Sequence, residues 1–109
     1  MPRQIVRVDA GNGVFLRSLG KVKDAQRRRE IVETLRELFL LDLDAAPARL
    51  HLHQLTGKSG CSVIDSHVKV PIWTIHVTAD DTYKASFTFE DGCAYLRVIR
   101  THDRLDDDP

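Results

Sequence analysis

The chain has 109 residues, enough to bury a working core without a structural metal or disulfide staples. Hydrophobic residues make up 42% and charged residues 29%, the balance of a soluble globular protein rather than a disordered one. Sixteen basic side chains face sixteen acidic ones, so the formal net charge is zero and any site for a polyanion must be local. In chain order, residues 4–9 (QIVRVD) alternate as a short strand, and Gly11-Asn12-Gly13 makes a turn. Phe15, Leu16, Leu19 and Val22 are spaced for a short helix that Gly20 ends. Asp24 then caps a longer helix running to about Leu41, with Ile31, Val32, Leu35, Leu38 and Phe39 as its apolar stripe. In this helix Arg29–Glu33 and Glu33–Arg36 have ion-pair spacing. Residues 42–49 form a loop, and Gly57 and Gly60 mark a turn.

Strands dominate the second half. Residues 61–70 (CSVIDSHVKV) read as one strand, with Pro71 interrupting pairing before Trp73. Trp73, Ile75 and Val77 then share one face, with Thr74, His76 and Thr78 on the other. Tyr83, Ala85, Phe87 and Phe89 repeat the pattern, opposite Lys84, Ser86 and Thr88. Asp91-Gly92 favours a primed hairpin turn into a last strand, Ala94 to Thr101. The apolar faces account for Trp73, Tyr83, Phe87 and Phe89 as core, whereas the polar faces gather His76, Lys84 and Arg100 beside His102 on one open sheet face. The expected architecture is one α+β domain over residues 1–109: an N-terminal strand and a helical hairpin packed on an antiparallel sheet of about four strands. The acidic tail DRLDDDP is expected to fray.

No apolar run approaches the length of a membrane span, and the N-terminus lacks the apolar core of a signal peptide, so a cytoplasmic protein is expected. Cys61 and Cys93 form no CxxC pair and read as free thiols. His51 and His53 flank a single residue, which is too little for a zinc site.

The order of elements and several local strings resemble the RelE/ParE superfamily of toxins from bacterial toxin–antitoxin pairs. The resemblance covers nearly the whole chain. It comprises the basic hairpin FLRSLGKVKDAQRRREIVETLREL, the linker HQLTG, the strand WTIHV, the hairpin YKASFTFEDG and the closing RTHDRL. The closing strands look most like the HigB and YafQ branches. What the resemblance implies is a RelE-like fold and a ribosome-dependent endonuclease. Such an enzyme cleaves mRNA by attack of the 2′-hydroxyl on the adjacent phosphate, inhibits translation and needs no metal or other cofactor. Its implied partners are a cognate antitoxin, in a possible hetero-oligomer, together with the ribosome and mRNA. By position, His53 matches the linker histidine, His76 the following strand histidine, Asp80 or Asp81 the acidic turn residue and His102 the C-terminal histidine. Lys84 stands where many relatives carry arginine.

The segment CSVIDSHVKVPI resembles an insertion and opens a rival register in which His67 replaces His76; the distance to RTH favours His76. Internal transesterification needs a base, an acid and cations at the phosphate. The residue set expected to supply them is His53, His76, Asp81 and His102 as catalytic groups, with Lys58, Lys84, Arg97 and Arg100 on the substrate. Arg27, Arg28 and Arg29 read either as a solvated helix face or as a contact for RNA phosphates. The same superfamily also holds ParE-like inhibitors of DNA gyrase, and a non-toxic binding module of this fold is the remaining alternative.

Overall fold

The structure is a computed structural model that describes residues 3–109. Five strands form one mixed sheet in the order β1-β5-β4-β3-β2: β1 Arg7–Asp9, β2 His53–Cys61, β3 Lys69–His76, β4 Tyr83–Glu90 and β5 Cys93–Thr101. Strands β2 to β5 pair antiparallel, and β1 joins β5 in parallel. The α+β class with helices on a sheet therefore holds, but the sheet is five-stranded and mixed rather than antiparallel with about four strands. The N-terminal segment reaches β5 only after the chain has passed through the helices, and a crossover of that length permits parallel pairing.

Helix α1, Gly13–Gly20, begins where the Asn12 side chain accepts hydrogen bonds from the Val14 and Phe15 amides. Helix α2, Ala25–Arg36, is capped by Asp24, whose carboxylate accepts from the Gln26 and Arg27 amides. The helix stops five residues before the expected Leu41. Leu40 turns into the left-handed region (φ 67°), its amide donates to the Ile5 carbonyl and Ile5 N–H donates to Leu41 O. Pairing with the N-terminal segment thus replaces the last helical turn. Phe15, Val22, Ile31, Leu35 and Leu38 join Trp73, Ile75, Val77, Ala85, Phe87, Ala94, Leu96 and Ile99 in one core on the first face of the sheet.

The region around residues 53–70 differs more. Gly57 (φ 75°) lies inside β2, where the register to β3 shifts between Gln54 and Ser59. The expected turn is therefore a strand irregularity. Conversely, residues 62–68 leave the sheet as the β2–β3 connection, although alternation predicts a strand there. The buried Glu90 carboxylate draws that connection in, accepting from Ser62 Oγ and, at 2.9 Å, from Val63 N–H. Pro71 sits within β3 opposite Ser59, and the ladder from β3 to β4 starts at Trp73.

The second face of the sheet is not open. Thr74, Lys84, Ser86 and Thr88 are buried on it. Helix α3, His102–Leu105, packs against β4 and β5. Leu105 is fully buried, as are Leu50 and Ile72, and all three lie outside the main cluster. Residues 106–109 continue along this face through ion pairs and hydrogen bonds described below, so the tail is packed where its composition predicts fraying.

Candidate functional site

Ladder geometry brings the site together. His76 opposes Lys84 across β3 and β4, and Lys84 opposes Arg100 across β4 and β5. Residues directly opposite on one face are neighbours, so an imidazole, an ammonium and a guanidinium stand in one row. At the end of this row His102 begins α3, held by its amide to the Thr82 carbonyl at 3.0 Å.

Three imidazoles converge there. The His76 ring stacks on His51 with centroids 4.4 Å apart, and His102 meets it edge-on at 5.0 Å. Asp81 Oδ1 lies 2.8 Å from His76 Nδ1. A carboxylate only accepts, so Nδ1 carries the proton and Nε2 keeps the free lone pair. Burial, reinforced by the two neighbouring histidines, lowers the His76 pKa against the opposing pull of Asp81. The hydrogen bond from His76 in turn holds the Asp81 carboxyl below the usual carboxylate range. His76 is therefore neutral near pH 7 and orientated by Asp81, the condition of a general base.

The loop that presents Asp81 is braced from α2. Glu30 accepts from the Ala79 amide at 2.9 Å, and Arg27 pairs with Asp80 at 2.6 Å. Asp80 also accepts from the Thr82 amide and hydroxyl, and Asp81 itself adopts a left-handed backbone (φ 61°). Arg27 is thus engaged within the protein, as is Arg28, which donates to Val22 O. Neither Arg29–Glu33 nor Glu33–Arg36 forms an ion pair among the described residues.

Of the expected catalytic set, His76, Asp81 and His102 come together and His53 stands one row away. His53 Nδ1 is 3.1 Å from the His51 carbonyl oxygen and Nε2 is 3.4 Å from Thr74 Oγ1. The third imidazole of the cluster is His51, which ends a short 3-10 turn (Ala48–Leu50) in the left-handed region at φ 47°. The HLHQ string itself was the available signal. His67 sits in the exposed β2–β3 connection, away from these rings, with its amide bonded to Asp65. A cleft of about 320 Å³ lies beside the cluster, lined by Arg49, His51, His76 and Asp81 among others.

The expected substrate cations share a second arrangement. Lys84 Nζ pairs with Asp106 at 2.8 Å, and Arg100 binds Asp108 through both its carboxylate and its carbonyl, each at 2.8 Å. Lys58 donates to Asp107 O at 3.3 Å and Arg97 to Pro109 O at 3.4 Å. The Lys84 ammonium keeps the Asp106 carboxyl below its ordinary range.

Elsewhere, Trp73 and Phe87 belong to the core, and Tyr83 and Phe89 pack against it. Tyr95 receives a hydrogen bond from Arg7 at 3.1 Å. A cavity of about 680 Å³ lies away from the histidines between β1, α1 and α2 and is almost wholly apolar. Cys61 and Cys93 are free thiols. Among the described residues no group of three His, Cys, Asp or Glu side chains is placed to hold a metal ion, and no helix is long and apolar enough to cross a membrane.

Compared with known proteins, the chain matches no family description, no curated protein and no solved structure.

Proposed function

We propose that the protein is a toxin-type endoribonuclease of RelE-like fold that cleaves mRNA on the ribosome. The observation that carries this reading is the His51–His76–His102 cluster, orientated by Asp81 and continuous with Lys84 and Arg100. In the reaction His76 Nε2 takes the proton of the 2′-hydroxyl as its oxygen bonds to phosphorus. His102 gives a proton to the departing 5′-oxygen as the P–O bond breaks. The products are a 2′,3′-cyclic phosphate and a free 5′-hydroxyl, and the reaction consumes no co-reactant. Lys84 and Arg100 offset the charge that grows on the phosphate. His51 shields His76 from water, and His53 borders the same face.

A cognate antitoxin is the expected partner. The apolar groove between β1, α1 and α2 supports that expectation: Val6, Leu16 and Phe39 are exposed along it, while Arg7 and Arg36 flank it. Its apolar floor and basic rim fit an amphipathic segment with acidic flanks.

Expression without a partner, followed by mapping of mRNA 5′ ends in a translating extract, tests the reading. Wild type is expected to cut within the ribosomal A site. His76→Gln and His102→Ala are expected to lose about 10²–10⁴-fold in cleavage rate while remaining folded. Intact mRNA with arrested supercoiling would move the assignment to a ParE-like gyrase inhibitor. A second reading, a non-toxic binding module of the same fold, is favoured by the neutralisation of Lys84 and Arg100 by the protein's own tail; it predicts harmless expression.

A further inference from the structure

The four cations expected to meet substrate are all engaged by one segment, and that segment is acidic. Asp106 and Asp108 place carboxylates on Lys84 and Arg100, while the carbonyls of Asp107 and Pro109 meet Lys58 and Arg97. Oxygens of four consecutive residues thus occupy the four cations, as the phosphate oxygens of a strand laid on the same face would. Leu105, fully buried just before these residues, anchors the segment through apolar burial rather than charge. Hydrogen-bonding capacity also remains beneath it. Ser86 Oγ and Arg97 Nε are buried on this face with no partner among the described residues. Buried polar groups are ordinarily satisfied, so such a pair marks a place where another acceptor belongs. Gly60 makes room for that guanidinium: a Cβ there would stand 2.5 Å from Arg97 Nη1.

We propose that Lys58, Lys84, Arg97 and Arg100 form a phosphate track for single-stranded RNA, and that residues 106–109 close it as a built-in phosphate mimic. This rests on the RNA-cleaving reading for the identity of the strand, but the closure itself does not depend on catalysis. RNA must displace the tail carboxylates to reach the cations, so the intact chain binds RNA weakly. The zero net charge includes the tail carboxylates, so neutralising them leaves the chain cationic.

Fluorescence anisotropy with a short fluorescein-labelled oligouridylate tests the closure. Two variants are compared with wild type: Asp106→Asn/Asp107→Asn/Asp108→Asn, and Asp107→Asn/Asp108→Asn, which keeps the Lys84–Asp106 pair should the triple variant fail to fold. A third, Asp65→Asn/Asp91→Asn, makes the same charge change as the double variant outside the tail. The tail variants are expected to bind roughly tenfold tighter or better, with the salt dependence steeper by about 0.7 per cation freed. The Asp65/Asp91 variant is expected to stay near wild type. Unchanged affinity and salt slope in the tail variants would overturn the proposal. So would an equal gain in the Asp65/Asp91 variant, or an equal gain on duplex DNA. Cleavage mapped on the same proteins separates the two readings. Tighter binding with intact mRNA keeps the closure and defeats the nuclease. Cleavage by wild type with no gain from the tail variants keeps the nuclease and defeats the closure.

Discussion

Burial lowers the affinity of His76 for a proton, His51 and His102 act in the same direction, and Asp81 opposes them. A histidine whose folded pKa is depressed binds protons more readily in the unfolded chain. Its contribution to stability is therefore full above the ordinary imidazole value and is lost as pH falls below about 6.5. Asp81, also depressed, acts in a lower window: its contribution is present above the ordinary carboxylate value and is lost as pH falls further. Urea denaturation of wild type between about pH 7 and about pH 5 is thus expected to show falling stability, and His76→Gln is expected to flatten that slope. Equal slopes in the two proteins would show that His76 is not the titrating group. Three of the four positions expected to be catalytic come together: alternation sets the face of His76, the turn between β3 and β4 places Asp81 beside it, and the end of β5 delivers His102 to the same edge. His51 was hidden because it lies outside any strand, at the end of a 3-10 turn with a left-handed backbone at φ 47°, where no periodicity sets its direction.

Elements with strong local signals formed as read. Asp24 caps α2 through two backbone amides, and the expected Asp-Gly turn closes β4 onto β5 with both residues at positive φ, 50° and 77°. Gly92 is doubly constrained, since a Cβ there would lie 2.9 Å from Val6 Cγ2. Gly92→Ala is expected to destabilise the fold by about 1–2 kcal/mol or more, measured as a lower urea midpoint with an unchanged m-value. An unchanged midpoint would mean that the turn relaxes without cost. Elements with weaker signals were decided by partners distant in sequence. The last turn of α2 gave way to bonds between residues 40–41 and Ile5, and the apparent strand at 61–70 was broken by the Glu90 carboxylate. Periodicity sees only which residues alternate, and it carries no record of a carboxylate twenty-seven positions away. The apolar stripe of α2 likewise divides. Ile31, Leu35 and Leu38 enter the core, while Val32 and Phe39 line the groove.

At the scale of the whole molecule the sheet has two occupied faces, one under the helices and one under α3 and the tail. Leu105 anchors the second of these. Leu105→Ala is expected to cost about 2–5 kcal/mol if the surrounding structure stays in place. It is also expected to raise amide hydrogen exchange in residues 102–109 ahead of the sheet. Uniform exchange across the chain would show instead that the tail unfolds only with the core.

By itself the sequence determined the α+β class, the Asp24 cap of α2, the Asp-Gly hairpin and the shared face of His76, Lys84 and Arg100. All of these follow from interactions within a few residues or from strict period-two alternation. Tertiary structure alone decided that β1 joins β5 in parallel, that His51 rather than His53 stacks on His76, and that the acidic tail lies across Lys84 and Arg100. Each of those depends on the distance between groups far apart in the chain, which composition and periodicity do not encode. The charge balance of zero was visible from the start; only the fold showed that two of the opposite-charge pairs, Lys84–Asp106 and Arg100–Asp108, meet on one face of the sheet.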